Sequence, residues 1–460
     1  MQQLEPGQTL DGFVIDAPLR AGGMADLYHV HGADEAHRAD FPLLLKRARL
    51  KTDEGGENLV GFETEKQILA ALHGPHVPRF VAAGDIVRPY LVMELIPGET
   101  LQQWLDRKPP RDAREIARLG ALVADALHAL HQQGACHLDL KPANVMIRAS
   151  GDGAVLLDFG LSWHAQMPDM LAEEQRTAVG SYAWIAPEQI VGVRGDPRSD
   201  IFALGVILYE MCSGELPFGN PQTAGGLRQR FWMQPRPPRL HDARIPPWLQ
   251  EIILACLQPQ AEHRYASAAL LAFDLTNPEQ VKITERGRAT HGAGLGAQFR
   301  HWMQRDPYRP SALPTQISPP PIVMVAVPHR DVTEAVLEAL RQAVKRSLGN
   351  RPGARLSCVT VIAPSGSAGA VDDELSIHQT MREYLRAWLA KINIGEHIAT
   401  CHVLEASDVA HALLTYAAGN HANIMILGAA THGLQLQRFV ATVPIKVAMR
   451  APCTVMLVKA

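Results

Sequence analysis

The stretch His137-Leu138-Asp139-Leu140-Lys141-Pro142-Ala143-Asn144-Val145-Met146-Ile147, followed after a polar turn by Val155-Leu156-Leu157-Asp158-Phe159-Gly160, decides how the rest of the chain is read. Two carboxylates, Asp139 and Asp158, stand beside apolar runs, with Lys141 and Asn144 between them. A loop followed by a short hairpin of this length can bring both aspartates to one cleft. One carboxylate can then meet a substrate hydroxyl, while the other, with an amide oxygen, holds a divalent metal.

Together with Ala186-Pro187-Glu188, this arrangement resembles the catalytic core of the protein kinase family, of the bacterial Ser/Thr type. The resemblance implies a bilobal α+β fold over residues 1–276, with an N-lobe near 1–94 and a C-lobe near 95–276. It also implies transfer of the ATP γ-phosphate, with Mg²⁺, to protein Ser/Thr hydroxyls. By resemblance Asp139 accepts or orients the proton of the attacking hydroxyl and Lys141 neutralises the γ-phosphate. Asn144 and Asp158 hold Mg²⁺. Lys141-Pro142 favours Ser/Thr over Tyr as acceptor, because tyrosine kinases of the family differ there. Leu138 departs from the pattern, which has Arg at that place to pair with a phosphorylated activation segment. A neutral side chain cannot form that pair, so activity is expected to depend weakly on such phosphorylation.

Composition sets the bounds. The chain has 460 residues, 47% of them hydrophobic and 20% charged, which is enough for more than one sizeable core. A net charge of −3 gives no electrostatic footprint for nucleic acid or an anionic membrane. Six scattered cysteines without a Cys-x-x-Cys pair read as buried thiols in a reducing compartment. The N-terminus lacks a basic, apolar signal segment. No run of about 18 apolar residues suits a membrane span; the longest, Ile201–Cys212, contains Glu210. A soluble cytoplasmic protein is expected.

Upstream, residues 10–30 predict a β-hairpin with a glycine-bearing turn, where backbone N–H groups can approach phosphates. On the family pattern this is the phosphate lid, contacted through Leu19, Gly22, Gly23 and Leu27. Arg20 and Ala25 stand where two of its glycines are expected. Arg20 either adds charge near the nucleotide or is solvated, and solvation is the preferred reading. Leu43–Lys46 is an apolar strand, and Lys46 matches the lysine that grips the α- and β-phosphates. Leu44 replaces the usual Ala over the adenine. Residues 58–72 have helical spacing through Leu59, Phe62, Ile68, Leu69 and Leu72. Glu65 on that helix is the expected partner of Lys46, with Glu63 as competitor. Tyr90–Gly98 resembles the hinge between lobes, with Met93 as gatekeeper and backbone groups of Glu94 and Ile96 on the adenine edge. Met146 completes the nucleotide-contacting set.

Residues 112–133 predict an amphipathic helix. Residues 161–185 are the candidate activation segment, with Thr177 as a site of self-phosphorylation and Ser181 in place of a family Thr that touches the catalytic Asp and Lys. Asp200 is expected to cap the buried helix that follows it and to accept bonds from the catalytic-loop backbone. Arg264 matches the arginine that pairs with Glu188. Residues 277–321 accumulate Gly and Pro and read as a linker, with a short helix near 295–304.

From Ile322 onward strand-like runs (322–327, 355–363, 397–404, 423–428, 453–458) alternate with helical ones (331–347, 374–393, 406–418, 437–450). That alternation argues for an α/β doubly wound parallel sheet. The last 40 residues resemble the end of a universal stress protein domain, placed at 322–460. Some members bind ATP through a glycine loop and an early Asp. Here Pro328 stands at that Asp, Gly428 and Gly433 are spaced wider than usual, and Ala441-Thr442-Val443 replaces a Gly-Ser pair. Close backbone approach to phosphate is lost, so a regulatory or homodimerising role is expected. Two other readings compete with an active protein kinase. One is a catalytically weak nucleotide-binding scaffold, suggested by Arg20, Ala25, Leu44 and Leu138. The other is a small-molecule kinase, against which Ala186-Pro187-Glu188 and the long activation segment argue.

Overall fold

Strands β1 (Thr9–Leu10), β2 (Phe13–Ala21), β3 (Ala25–Gly32), β4 (Leu43–Ala48), β5 (Phe80–Ala83) and β6 (Tyr90–Glu94) form one antiparallel sheet in the order β1-β2-β3-β4-β6-β5. In this computed structural model the described residues are all but 1–3, 22–24, 50–54, 86–87, 109–111, 168, 170, 172–180, 222, 293–320, 331, 350–353, 365–370, 396, 430–442 and 460. They fall into two units, Met1–Thr315 and Gln316–Ala460.

Alternation gives the first sheet two faces. Phe13, Ile15, Tyr28, Val30, Leu43, Leu45, Tyr90 and Val92 pack together on one. On the other, Leu44, Ala48, Leu91 and Met93 meet Phe62, Ile68 and Leu69 of the helix Gly55–Ala71. Lys46 lies between Leu44 and Ala48 in that alternation, so it is delivered to the helix side.

The helical part is built around Arg198–Ser213, a helix buried almost throughout, with Ala113–Gln132 and Pro247–Cys256 packed beside it and Ala268–Thr276 packed on Ala113–Gln132. Asp112 caps Ala113–Gln132 by accepting from Arg114 N–H. Gly214, at φ 73°, ends Arg198–Ser213 in the left-handed conformation that suits glycine. Beneath the first sheet, β7 (Gly98–Thr100), β9 (Val145–Arg148) and β10 (Ala154–Leu156) form a small antiparallel sheet, while β8 (Ala135–Cys136) pairs with β11 (Trp163–His164).

Two expectations change here. Asp200 does not cap its helix. The helix begins at Arg198, where the Asp196 carboxylate accepts the Arg198 N–H at 2.9 Å, so Asp200 falls inside the first turn and faces inward. The linker does not begin at 277. Residues 278–280 and 285–288 are helical, and the segment docks on Pro247–Cys256. Gln250 donates to the carbonyls of Arg286 and Ala289, and Glu251 accepts from Thr284 and from Gly287 N–H. A Cβ on Gly287 would sit 2.8 Å from Pro247 O, so this glycine serves close approach rather than flexibility. The proposed helix near 295–304 lies outside the described residues.

The second unit is a five-stranded sheet, parallel throughout, in the order β14-β13-β12-β15-β16, with β12 Ile322–Ala326, β13 Arg355–Ile362, β14 Ile398–Glu405, β15 Ile424–Gly428 and β16 Thr454–Val458. Helices Glu334–Leu348 and Val371–Leu389 cover one face, and Val409–Gly419 and Val443–Arg450 the other. The near-continuous apolar strands fit a sheet buried on both faces. Gly433, Ala441 and Thr442 lie outside the described residues.

Candidate active site

Asp200 organises the loop that carries Asp139. Its carboxylate, wholly buried, accepts from the N–H of His137 at 2.9 Å, from the N–H of Leu138 at 2.8 Å and from His131 Nε2 at 2.9 Å. Burial pushes this carboxyl up, but the bonds and the charges of His131 and His137 outweigh it and leave it below the ordinary aspartate range. The backbone turns at Leu138 with φ 61°. Such a conformation is costly for a branched residue, and it is held by the Asp200 bond and by Gln189 Nε2 donating to Leu138 O at 2.8 Å. Leu138 itself is buried. His137 reaches across to Leu157 O at 3.0 Å and packs on Phe159, which ties the loop to the segment carrying Asp158 just after β10.

Asp139, itself buried, faces a ring of donors. Lys141 Nζ lies 2.7 Å from its Oδ2, Ser181 N–H donates to its Oδ1 at 2.8 Å, and Lys141 Nζ also donates to Ser181 Oγ at 2.8 Å. Asn144 Nδ2 donates to the Asp139 carbonyl at 3.0 Å and to its Oδ2 at 3.2 Å. Those bonds fix the amide so that Asn144 Oδ1 is the remaining acceptor. The Leu157 N–H donates to Asn144 O at 2.9 Å, so the next residue, Asp158, lies beside Asn144.

Lys46 Nζ stands 2.6 Å from Glu65 Oε2 and 3.0 Å from Asp158 Oδ1. Glu63 turns instead to Lys66 at 2.6 Å. Burial pulls the Lys46 ammonium down, yet the two carboxylates together hold it above the ordinary lysine range. Lys46 pulls the Asp158 carboxyl down, whereas burial and the neighbouring Asp158 push Glu65 up. Asp158 remains 46% exposed at its side chain and therefore faces the cleft. Asn144 Oδ1 and the Asp158 carboxylate are hard oxygen donors, and they fit a small divalent cation.

Around the expected adenine slot, Met93 and Ile96 are buried and Leu44 packs against the same core. Glu94 N–H is engaged with Arg79 O at 2.9 Å, and its carboxylate with Arg79 Nε at 3.1 Å. Met146 sits in β9 opposite Val155 and Thr100. Leu19 is exposed, Leu27 pairs with Lys46 across β3 and β4, and Arg20 is solvated. Gly22, Gly23 and Thr177 lie outside the described residues. Glu188 and Arg264 form a buried bidentate pair at 2.6 and 2.8 Å. His131 and Gln189 escaped sequence reading: one ends an amphipathic helix and the other follows a motif, and neither position carries a spacing signal.

Residues 36–275 match the model of the protein kinase domain, and residues 322–459 that of the universal stress protein family. Over 275 residues the chain is 30% identical to the serine/threonine-protein kinase PknB of Mycolicibacterium smegmatis, covering 59% of this chain and 43% of that protein. PknB of Mycobacterium leprae is 31% identical over 305 residues, 63% of this chain and 48% of that one. The serine/threonine-protein kinase Pkn1 of Myxococcus xanthus is 32% identical over 327 residues, 67% and 43% respectively. The chain spans less than half the length of these relatives.

Proposed function

The chain belongs to the protein kinase family, and from that premise we propose that it transfers the γ-phosphate of ATP to serine or threonine hydroxyls of proteins. The observation that carries this reading is the donor ring on Asp139, where Lys141 and Ser181 close on one carboxylate at 2.7 and 2.8 Å. An acceptor hydroxyl entering there meets an oriented carboxylate as proton acceptor. Lys141, bridging Asp139 and Ser181, stands ready to neutralise a transferring phosphoryl group. Lys46, steadied by Glu65, directs its ammonium toward the α- and β-phosphates. Asn144 Oδ1 and Asp158 would hold Mg²⁺, which supplies charge neutralisation at the phosphates. Glu65, Lys46 and Asp158 form one connected cluster, as do Asp139, Lys141 and Asn144, which favours transfer over a nucleotide-binding scaffold.

The same reading makes Thr177 a self-phosphorylation site and the cytoplasm the place of action, in keeping with six free cysteines. No helix among the described residues is long and apolar enough to cross a membrane. A homodimer through the second unit is part of the proposal. Its support is β16, an edge strand on which Met456 and Leu457 are exposed.

The test is transfer of labelled phosphate from Mg-ATP to the chain itself and to myelin basic protein, with wild type beside Asp139→Asn. Transfer that disappears in Asp139→Asn supports the reading. Equal labelling by both proteins, or none by wild type, removes it.

A further inference from the structure

Arg230 has no exposed surface and is the largest fully buried side chain among the described residues. It lies in the short turn Gln229–Phe231. Its Nη2 donates to two successive carbonyls, Tyr182 O at 2.6 Å and Ala183 O at 3.0 Å. Its guanidinium carbon stands 5.2 Å from the centre of the Phe218 ring. Among the described residues Nε and Nη1 have no hydrogen-bond partner and no carboxylate forms an ion pair with the guanidinium. Burial alone pulls this guanidinium down to about 10.

A buried cation without a counter-ion is costly to the fold. A methionine would fill a similar space without that cost. What methionine could not do is hold the backbone at Tyr182 and Ala183. These residues follow Ser181, whose N–H and Oγ meet Asp139 and Lys141. A continuous chain of contacts therefore runs from Arg230 through two carbonyls to the carboxylate at which the acceptor hydroxyl is expected. Tyr182, held by its carbonyl, is 39% exposed and follows directly on Ser181.

We propose that Arg230 is a positioning residue that fixes Tyr182–Ala183 as a shelf for the acceptor segment of a protein substrate, beside Asp139. The proposal rests on the kinase reading and deepens it, because it separates binding of the acceptor from binding of ATP. Arg230 acts on the shelf and touches neither Lys46 nor Asp158. Its removal deletes donors and a charge that have no partner among the described residues, while the Tyr182 and Ala183 carbonyls lose its N–H; for the fold the two effects offset, whereas the shelf loses its anchor.

The experiment uses the full chain with myelin basic protein as acceptor. It measures KM for the acceptor, KM for ATP, kcat and thermal midpoint for wild type, Arg230→Met, Arg230→Lys and Asp139→Asn. In Arg230→Met the acceptor KM is expected to rise about tenfold, with ATP KM within about twofold and a midpoint no lower than wild type. Arg230→Lys, which keeps a charged donor for the carbonyls, should return the acceptor KM to within about threefold of wild type. If Arg230→Met fails to fold, Arg230→Gln reads the same split between the two KM values. An unchanged acceptor KM overturns the proposal and leaves the kinase reading standing. A joint rise of both KM values with a fallen midpoint also overturns it, as a purely structural role. Wild type no more active than Asp139→Asn removes both.

Discussion

The two units bury polar groups in different ways. In the first, charges are taken inside and made to converge: Glu65 with Lys46 and Asp158, Asp139 with Lys141, Asp200 under the loop, and Glu188 with Arg264. In the second, the most buried polar side chains of the sheet are hydroxyls satisfied close by. Ser357 Oγ meets Tyr416 OH at 2.8 Å, Thr400 Oγ1 meets His402 Nε2 at 2.9 Å, and Thr360 Oγ1 meets His329 Nδ1 at 3.2 Å. Of its buried cations Arg341 and Arg355, Arg341 is paired with Glu334 and Glu338, both largely exposed on the same helix. At the carboxyl ends of its strands lies a cavity of about 420 Å³ whose charged or titratable lining, among the described residues, is His329 and Arg330, with no carboxylate. Convergent buried charge is the signature of a site that handles a moving charge. Locally satisfied hydroxyls hold a sheet together and ask nothing of a ligand. Among the described residues the lining of that cavity, which includes Thr360 and Ser407, does not repeat the pair of hard oxygen donors formed by Asn144 and Asp158.

This contrast can be broken in four places. The largest effect is expected for Asp139→Asn, which should lower phosphate transfer by about 10³-fold while melting of the second unit stays put; transfer at near wild-type rate would mean that the convergence is merely structural. Next, Arg264→Met leaves Glu188 buried without its arginine, with Ser199 Oγ still donating to it. It should destabilise the first unit by about 3–5 kcal/mol in urea unfolding, and amide exchange in β12–β16 should not follow. Third, the second unit should show an acid weakness of its own. Burial, helped by the charge of Arg382, pulls His402 from 6.5 to about 4. The folded imidazole stays neutral where the unfolded one takes a proton. Stability is therefore fully present above about 6.5 and is lost as pH falls toward 4, by about 3 kcal/mol at most. Hydrogen exchange of β13 and β14 amides across that range reads it, and a flat profile would show that the site does not titrate this way. Smallest, Thr177→Ala should leave transfer within about twofold of wild type, because Leu138 offers no cation to a phosphorylated segment; loss of activity restored by a phosphomimetic would reverse that view.

Much of the first unit was readable because motif and periodicity agree. Strand alternation delivers Lys46 to the helix side, and the register of the kinase family on Phe62 and Leu72 selects Glu65 over Glu63, which the structure places on Lys66. The alternation of runs after Ile322 marked the strand limits of the second sheet to within a residue or so. Other features depend on partners far along the chain. Asp200 looked like a cap because aspartate near a helix start usually is one, but Asp196 already served Arg198. Gly287 looked like linker because glycine permits flexibility, yet here it permits contact with Pro247 and Glu251. Arg230 gave no signal at all, since an arginine in a short polar turn is ordinarily solvated. Only tertiary packing shows it inside.

The position of β12 in the middle of its sheet bears on how the chain is made. β12 pairs with β13 soon after it in sequence, but its other neighbour is β15, and Ile322 N–H meets the Asn423 side chain from 101 residues away. At the usual pace of a ribosome that interval lasts about 5–20 s. Throughout it the nascent chain carries a ready apolar strand with one side unpaired, the kind of edge to which a second nascent chain can add. Strand pairing in the first unit spans shorter intervals, the widest among the described residues being Leu43 with Glu94 across β4 and β6. Crowding of ribosomes on one message would therefore endanger the second unit before the first, and an early arrest after β13 would leave the most adhesive product.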